Sequence, residues 1–322
     1  SCGIFEGEKI KIPKFDKYPD YLPHKKPVHA LDLKKKYPLG TSTPMQHLVE
    51  ASVPGGYDPC CEDALIKGWV VYSSNLMKCV PDNNLMRKAI EELDLLVVVD
   101  TMPSEIAGFA DVILPDTTYL ERYDVLNSPE WREPFVSIRQ PVVKPLYNSK
   151  PSWWIAQQLA NRLWLEELFL YNDYEEVIEY QLNKLGSSIA DINKKGGVLK
   201  QKPKGKRKLK FYTRSRKVEL YSEALAKEGH DPMPVYKPQA EPPLGFFRLL
   251  YGRAPQHTFS RTVNNSMLME LFPENEIWVN PKVAAQNNLK NGKYVMLENQ
   301  DRVRSNKIKI RVTERIRQDC VY

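Results

Sequence analysis

The feature that most constrains the fold is the run Leu95-Leu96-Val97-Val98-Val99-Asp100, in which consecutive apolar side chains end at a carboxylate. A continuous run of this kind predicts a strand of a parallel sheet that is covered on both faces. Shorter apolar runs lie at Gly68 to Tyr72 and at Val112 to Pro115. Apolar residues with helical spacing lie between the runs, at Asn83 to Leu93 and Glu105 to Ala110. The sequence therefore predicts a βαβ series with right-handed crossovers.

The pattern changes farther along the chain. Apolar spacing predicts helices from Ser152 to Leu170 and from Tyr174 to Leu185. Short strands are predicted at Glu276 to Asn280, Lys293 to Leu297 and Lys307 to Thr313. The last ~80 residues are thus expected to form a small β-barrel or sandwich.

A cluster of lysine and arginine supplies much of the formal net charge of +7. Such a run can bind nucleic acid or an anionic cofactor. Glycine and proline interrupt it and no aromatic side chain interleaves it, so a solvated loop is the favoured interpretation. The cluster comprises Lys194, Lys195, Lys200, Lys202, Lys204, Lys206, Arg207, Lys208 and Lys210.

The cysteine pattern does not predict a metal site. The chain has five cysteines, and none of them forms a Cys-x-x-Cys pair. Any metal used by this protein is therefore expected to be held by other residues. No stretch approaches the ~18 apolar residues of a membrane span.

Two blocks resemble a known family. The first runs from Val97 through Ala107-Gly108-Phe109-Ala110-Asp111 to Leu114-Pro115 and ends in Tyr119-Leu120-Glu121-Arg122. The second begins at Gly252-Arg253-Ala254-Pro255 and continues through Leu271-Phe272-Pro273 to Pro281. Both are similar to blocks of the dimethyl sulfoxide reductase superfamily of molybdopterin oxidoreductases, in the form of thiosulfate and polysulfide reductase catalytic subunits. The resemblance covers residues 55 to 322.

The resemblance implies an α/β fold in which a Rossmann-like parallel-sheet lobe is followed by a C-terminal double-psi β-barrel. It divides the chain into an extended N-terminal arm (1–54), an α/β cofactor-binding lobe (55–190), a basic and proline-rich linker (191–243) and a truncated dinucleotide-binding barrel (244–322). The expected cofactor is a bis-molybdopterin guanine dinucleotide carrying molybdenum or tungsten. An iron–sulfur 4Fe-4S cluster and the metal ligand are expected in an N-terminal part outside this chain, so the chain alone is not expected to catalyse.

The site residues that the resemblance implies are hydrogen-bonding groups for the guanine, ribose, pyrophosphate and pterin. Asp100 follows a buried strand, where an open α/β sheet places ligand contacts; its alternative role is a helix cap. No residue is assigned to catalysis or to metal ligation. The expected cofactor-binding residues are Ser74, Asn75, Asp100, Arg253, His257, Thr258, Thr262, Asn264 and Asn265.

The chain departs from the family pattern at several turns. The segment Thr213-Arg214-Ser215-Arg216-Lys217 stands where the family has Thr-Pro-Ser-Gly-Lys, and Arg302 stands where a turn glycine is expected. Gly292-Lys293 replaces a Gly-Asp, and Arg317-Gln318-Asp319 replaces an Arg-Pro-Asp. An arginine replaces a turn glycine at little cost only where φ stays negative.

The expected activity is periplasmic reduction of thiosulfate or polysulfide in anaerobic respiration, with electrons from an iron–sulfur subunit tied to a membrane anchor. Arsenate or tetrathionate reduction and an inactive truncated homologue are alternatives within the superfamily. Two alternatives lie outside it. A nicotinamide dehydrogenase is disfavoured because no Gly-x-Gly-x-x-Gly precedes Asp100. A nucleic-acid-binding protein would use the basic cluster, and no nucleic-acid partner is expected.

Overall fold

The structure is a computed structural model, and it describes residues 7–16, 39, 45–56, 66–203, 211–259 and 262–322. Its contacts divide the chain into two units. Unit 1 comprises Ser1–Ser74 and Asp82–His230, and unit 2 comprises Asn75–Pro81 and Asp231–Tyr322. The basic cluster lies partly outside the described residues. The domain boundaries given above remain predictions.

The predicted parallel sheet is present in unit 1. Its strands are β1 (Gly68–Tyr72), β2 (Leu95–Asp100) and β3 (Val112–Pro115), hydrogen-bonded in that order and all parallel. Helix α3 (Asn83–Glu91) connects the first two strands, and a 3₁₀ helix (Glu105–Phe109) connects the last two. The α3 helix begins as predicted, because Asp82 accepts a hydrogen bond from the Leu85 backbone N–H at 3.0 Å. Chain order and strand order coincide, so this part of the fold is confirmed.

The sheet is buried more fully on one face than on the other. Val71, Leu96 and Val98 are at most 6% exposed. On the opposite face, Val70 is 64% and Leu95 44% exposed. The prediction that β2 is covered on both faces is therefore wrong at Leu95, since side chains alternate between faces. A cavity of about 440 Å³ lies against the more exposed face and is lined mainly by apolar and aromatic side chains.

Unit 1 also contains an antiparallel sheet, in the order β4-β5-β6, that the sequence patterns did not predict. Two helices and the described part of the N-terminal arm pack against this sheet. Ile10 of the arm shares a buried core with Val136 and Ile178, and Phe15 is only 2% exposed. The elements are β4 (Asp124–Asn127), β5 (Phe135–Arg139), β6 (Val198–Lys200), α5 (Tyr174–Lys184) and α6 (Ile189–Lys194).

The predicted long helix from Ser152 to Leu170 is wrong in its length. Helix α4 spans Ser152–Arg162, and a separate 3₁₀ helix spans Glu166–Leu168. Trp164 adopts a left-handed φ of 55°, and the Leu165 N–H donates to the Ala160 carbonyl at 3.0 Å. Glycine usually occupies such a left-handed position at the end of a helix. Because tryptophan stands there in this chain, the sequence carried no signal that the helix ends. The remaining helices of unit 1 are α1 (Met45–Ala51) and α7 (Glu223–Lys227).

Unit 2 contains two small sheets. Three strands pair in the order β8-β10-β9, with β8 and β10 parallel, and two strands pair as β11-β7. Their hydrophobic core includes Ile277, Val283 and Ile310. The described strands do not form a closed ring, so the expected double-psi barrel is not confirmed. The elements are β7 (Arg248–Leu249), β8 (Glu276–Val279), β9 (Tyr294–Val295), β10 (Ile308–Val312), β11 (Cys320–Val321), α2 (Leu76–Cys79), α8 (Ser266–Leu271) and α9 (Pro281–Gln286).

None of the helices in the described ranges is long and apolar enough to cross a membrane.

Candidate functional site

The carboxyl edge of the parallel sheet is the candidate site in unit 1. Asp100 ends β2 there, and Ser73 follows β1 with a left-handed φ of 50°. The Asp116 N–H, just after β3, donates to the Asp100 carbonyl at 3.0 Å. One Asp100 carboxylate oxygen accepts from the Thr101 N–H at 2.7 Å. Because ligands of open α/β sheets bind beyond the carboxyl ends of the strands, this edge suits a nucleotide.

Arg122 holds the loop that follows β3. Its guanidinium lies 2.7 Å from the Asp116 carboxylate and 3.0 Å from that of Asp124, and it donates to the Thr117 carbonyl at 2.8 Å. The Asp116 side chain is only 2% exposed, and Arg139 pairs with the second oxygen of Asp124. Burial alone would lower the pKa of Arg122, but the hydrogen bonds and charges of the two aspartates raise it above its usual range. The cluster is thus balanced in charge.

Glu121 fixes the same loop from its other side. Its carboxylate accepts from the Thr118 N–H at 2.7 Å, from the Thr118 hydroxyl at 2.9 Å and from the Leu146 N–H at 2.8 Å. The backbone hydrogen bonds from Thr118 and Leu146 lower the pKa of Glu121 and outweigh the opposing effect of burial. Glu121 is therefore a structural anion with its oxygens already engaged.

Two hydroxyls near this edge are buried without a hydrogen-bond partner among the described residues. They belong to Ser104, which precedes the 3₁₀ helix, and to Thr117 in the loop after β3. Buried polar atoms in folded proteins are nearly always paired with protein, water or ligand. The edge therefore has hydrogen-bonding capacity that the described side chains do not use.

The candidate site in unit 2 comprises the described residues of a loop, 252–259 and 262–265. His257 Nε2 lies 3.1 Å from the Phe272 carbonyl, which can only accept, so Nε2 carries the proton. His257 Nδ1 lies 3.3 Å from the Thr262 hydroxyl. The oxygen of that hydroxyl accepts a hydrogen bond from the Thr258 N–H at 2.9 Å. The structure thus brings His257, Thr258 and Thr262 together, and both ring nitrogens of His257 hold the loop.

Arg253 is an exposed cation in the described part of this loop. Its guanidinium stacks over the Phe259 ring at 4.0 Å from the centroid. Stacking on one face leaves the N–H groups at the guanidinium edge able to bind a phosphate. Asn265, by contrast, caps α8 by accepting from the Leu268 N–H at 3.3 Å, which occupies its side-chain oxygen. Asn264 is half-buried in the turn before it.

The predicted site residues fall in both units. Ser74 and Asp100 belong to unit 1. Asn75 belongs to unit 2, as do the six predicted site residues that lie between positions 253 and 265. Asn75 is buried and caps α2 through its carbonyl. Sequence reasoning missed the roles of Glu121 and Arg122, although both lie in the first family-like block. Two acidic neighbours of Arg122, Asp116 and Asp124, were the available signal.

Comparison with known proteins agrees with these two regions. Residues 59–162 match the family model described as molybdopterin oxidoreductase, and residues 247–322 match the molydopterin dinucleotide binding domain. Together the matches account for more than half of the chain. The chain belongs to the molybdopterin oxidoreductase family. The first match includes the whole parallel sheet with Asp100, and the second includes Arg253 and His257.

Several members of the family are similar over most of this chain. The thiosulfate reductase molybdopterin-containing subunit PhsA of Salmonella typhimurium is 30% identical over 80% of this chain and 37% of its own length. The assimilatory nitrate reductase catalytic subunit of Bacillus subtilis is 28% identical over 81% of this chain and 37% of its own length. The structure of acetylene hydratase from Pelobacter acetylenicus superposes with a TM-score of 0.69 at 25% identity, covering 85% of this chain and 38% of that one. The chain thus spans well under half the length of these relatives.

The residues present fit a molybdopterin dinucleotide. Asp100 keeps one carboxylate oxygen unpaired within the described part of the chain, where it can accept from guanine N–H groups or a ribose hydroxyl. Arg253 supplies a cation for the pyrophosphate. Among the described residues, no three histidine, cysteine or acidic side chains are grouped so that they could hold a metal ion. The family cofactor can therefore be held here through its organic part.

Proposed function

We propose that this chain is the cofactor-binding portion of a molybdenum-dependent oxidoreductase that reduces thiosulfate or polysulfide. The observation that carries the proposal is the 30% identity to a thiosulfate reductase subunit over 80% of the chain. The two family matches include both candidate sites. Bound as a bis-molybdopterin guanine dinucleotide, the cofactor would supply a molybdenum or tungsten centre that changes oxidation state. The protein would supply binding, orientation and hydrogen bonds.

The role of each unit follows from its free donors and acceptors. In unit 1, Asp100 would accept hydrogen bonds from the guanine of one dinucleotide, with Ser74 as a second contact at the same edge. In unit 2, Arg253 would neutralise pyrophosphate oxygens. His257 would keep the loop that contains Arg253 in shape through its two ring nitrogens.

Further properties follow from the proposed class. The parallel sheet would be the Rossmann-like lobe, and the small sheets of unit 2 would form part of a double-psi barrel. A 4Fe-4S cluster, an iron–sulfur partner subunit and a membrane anchor subunit would deliver electrons, and the enzyme would act in the periplasm during anaerobic respiration. These properties rest on the proposed class alone.

Cofactor analysis of the protein tests the proposal. The full-length polypeptide that contains this chain, purified from a molybdate-supplied host, is expected to contain molybdenum and two guanine dinucleotides per polypeptide, released by acid and measured by mass spectrometry. Turnover is then measured with thiosulfate, polysulfide, tetrathionate, arsenate and nitrate, and activity with one of the first two supports the substrate class. Nitrate is included because the similarity to the nitrate reductase extends over 81% of the chain. Folded protein with neither metal nor pterin would overturn the proposal.

A matched pair of variants tests the site in unit 1. Asp100→Asn keeps the side-chain size but replaces one acceptor oxygen by a donor, so guanine content should fall by about tenfold. Asp94→Asn makes the same change just before the amino end of β2, where Asp94 is exposed, and should leave the content unchanged. Equal guanine content in the two variants would remove Asp100 from the site.

A further inference from the structure

Arg122 is distinguished from the other arginines of the described chain by its burial between two carboxylates. Its side chain is 17% exposed, and its partners Asp116 and Asp124 are 2% and 25% exposed. A buried charged cluster of this kind adds little net stability compared with apolar side chains of the same volume. What distinguishes the cluster is its geometry, because its hydrogen bonds can all form in only one arrangement of the backbone.

The cluster is connected to the carboxyl edge by backbone hydrogen bonds. The Asp116 oxygen that binds Arg122 also accepts from the Thr117 N–H at 2.8 Å. Arg122 itself binds the Thr117 carbonyl, so both ends of the Thr117 residue are fixed. The Asp116 N–H in turn binds the carbonyl of Asp100. Displacement of Arg122 would therefore release the segment that adjoins Asp100.

We propose that Arg122 is a positioning residue for guanine nucleotide binding: it fixes Asp116 and Thr117 after β3 and thereby keeps Asp100 in a binding orientation. Arg122 makes no contact with the ligand in this role. Its effect passes through the hydrogen bonds from Arg122 to Asp116 and from Asp116 to Asp100. The inference rests on the proposed function, because it takes the guanine part of the cofactor as the ligand.

Lysine in place of arginine is the sharpest perturbation. Arg122→Lys keeps the charge but cannot bind Asp116, Asp124 and the Thr117 carbonyl in the same planar geometry. Guanine dinucleotide should then be lost about tenfold faster during dialysis than from the wild-type protein, as expected when a supporting residue of a bound group is changed. The measurement is guanine released by acid per chain as a function of dialysis time.

A second variant separates positioning from stability. Val177→Ala removes buried apolar atoms from α5, in a core shared with Phe15 and Tyr171 that contains neither Arg122 nor its partners, and should lower the melting temperature without affecting the carboxyl edge. The two variants are compared at temperatures equally far below their melting points. Faster guanine loss from Arg122→Lys alone supports the proposal, and equal loss from both would show that Arg122 acts only on stability.

The same experiment distinguishes this inference from the proposed function. If the wild-type protein contains guanine and Arg122→Lys retains it equally well, the positioning role alone is overturned. Wild-type protein without guanine overturns both proposals. Hydrogen exchange of the peptide containing Asp116 and Thr117 provides an independent readout, and its protection should fall in Arg122→Lys but not in Val177→Ala.

Discussion

Replacement of Glu121 by glutamine should loosen the loop after β3. The glutamine oxygen can accept from either the Thr118 N–H or the Leu146 N–H, but its amide group faces the other donor. A lost hydrogen bond to a buried charged group costs up to about 3 kcal/mol. Thr118 and Leu146 are themselves exposed, so water replaces part of the lost bonding. We therefore expect a local loss of about 1–2 kcal/mol.

The effect of Glu121 should depend on pH in a defined direction. The pKa of Glu121 is lower in the folded protein than its ordinary value of 4.5. Its contribution to stability is consequently complete above that ordinary value and is lost as the pH falls through the lowered folded pKa. The glutamine variant lacks this contribution at every pH. The difference between the two proteins should be greatest near neutral pH and should decrease below pH ~4.5.

Hydrogen exchange of the peptides that contain the Thr118 and Leu146 amides measures this difference. Protection at neutral pH should be roughly 5- to 30-fold lower in Glu121→Gln, which corresponds to the expected free energy. Glu91→Gln is the matched control, because Glu91 is exposed at the end of α3. A loss of protection that is equal at pH 7 and pH 3 would refute the electrostatic reasoning. So would an equal loss at these peptides in the control.

Two further predictions concern unit 2. A Cβ at Gly252 would lie 2.9 Å from the Tyr322 ring, so Gly252→Ala should displace that ring from Trp278 and destabilise the unit by about 1–3 kcal/mol. Unchanged hydrogen exchange of the Trp278 amide, which donates to the Tyr322 carbonyl, would contradict the prediction. Arg302 ends a tight turn with a left-handed φ of 62°, so Arg302→Gly should stabilise the protein by about 1 kcal/mol, measured by urea denaturation. Destabilisation by this change would refute the strain argument.

The parallel sheet could be predicted from the sequence because its signals are local. Each strand is a single apolar run, and the residues between the runs have helical spacing or a capping aspartate at Asp82. The right-handed crossover rule then leaves few topologies. Leu95 shows where the reasoning stops. An apolar side chain at the start of such a run predicts burial, but exposure depends on what packs against that face.

The antiparallel sheet could not be predicted because its pairing is not local. Strand β6 pairs with β5 more than sixty residues earlier in the sequence, and β6 itself contains only three residues. The pairing of β4 with β5 is irregular, with a register shift between Asp124 and Asn127. Alternation of apolar and polar residues is a weak signal over such short strands. Packing of Ile10 from the distant arm completes the core, and no sequence period reports that contact.

The turn arginines connect the family pattern with the geometry. Arg216 and Arg302 stand where the family has glycine, and both adopt left-handed φ, 56° and 62°. From the sequence alone we could give only the condition: replacing a turn glycine by arginine is costly where φ is positive. The structure meets this condition at both positions. The backbone of these turns therefore keeps the conformation that glycine favours, and the side chain is accommodated at a cost in strain.

The candidate site shows why residue type alone cannot separate ligand contacts from supporting residues. Asp100, Glu121, Arg122 and His257 are all polar residues within family-like blocks, and any of them could bind a nucleotide. Hydrogen bonds within the protein occupy both carboxylate oxygens of Glu121 and both ring nitrogens of His257, whereas one oxygen of Asp100 has no partner in the described chain. A ligand needs a donor or acceptor that the fold has not already used. By this criterion we propose that Asp100 contacts the cofactor and that the other three residues support the segments in which the binding groups of each unit lie.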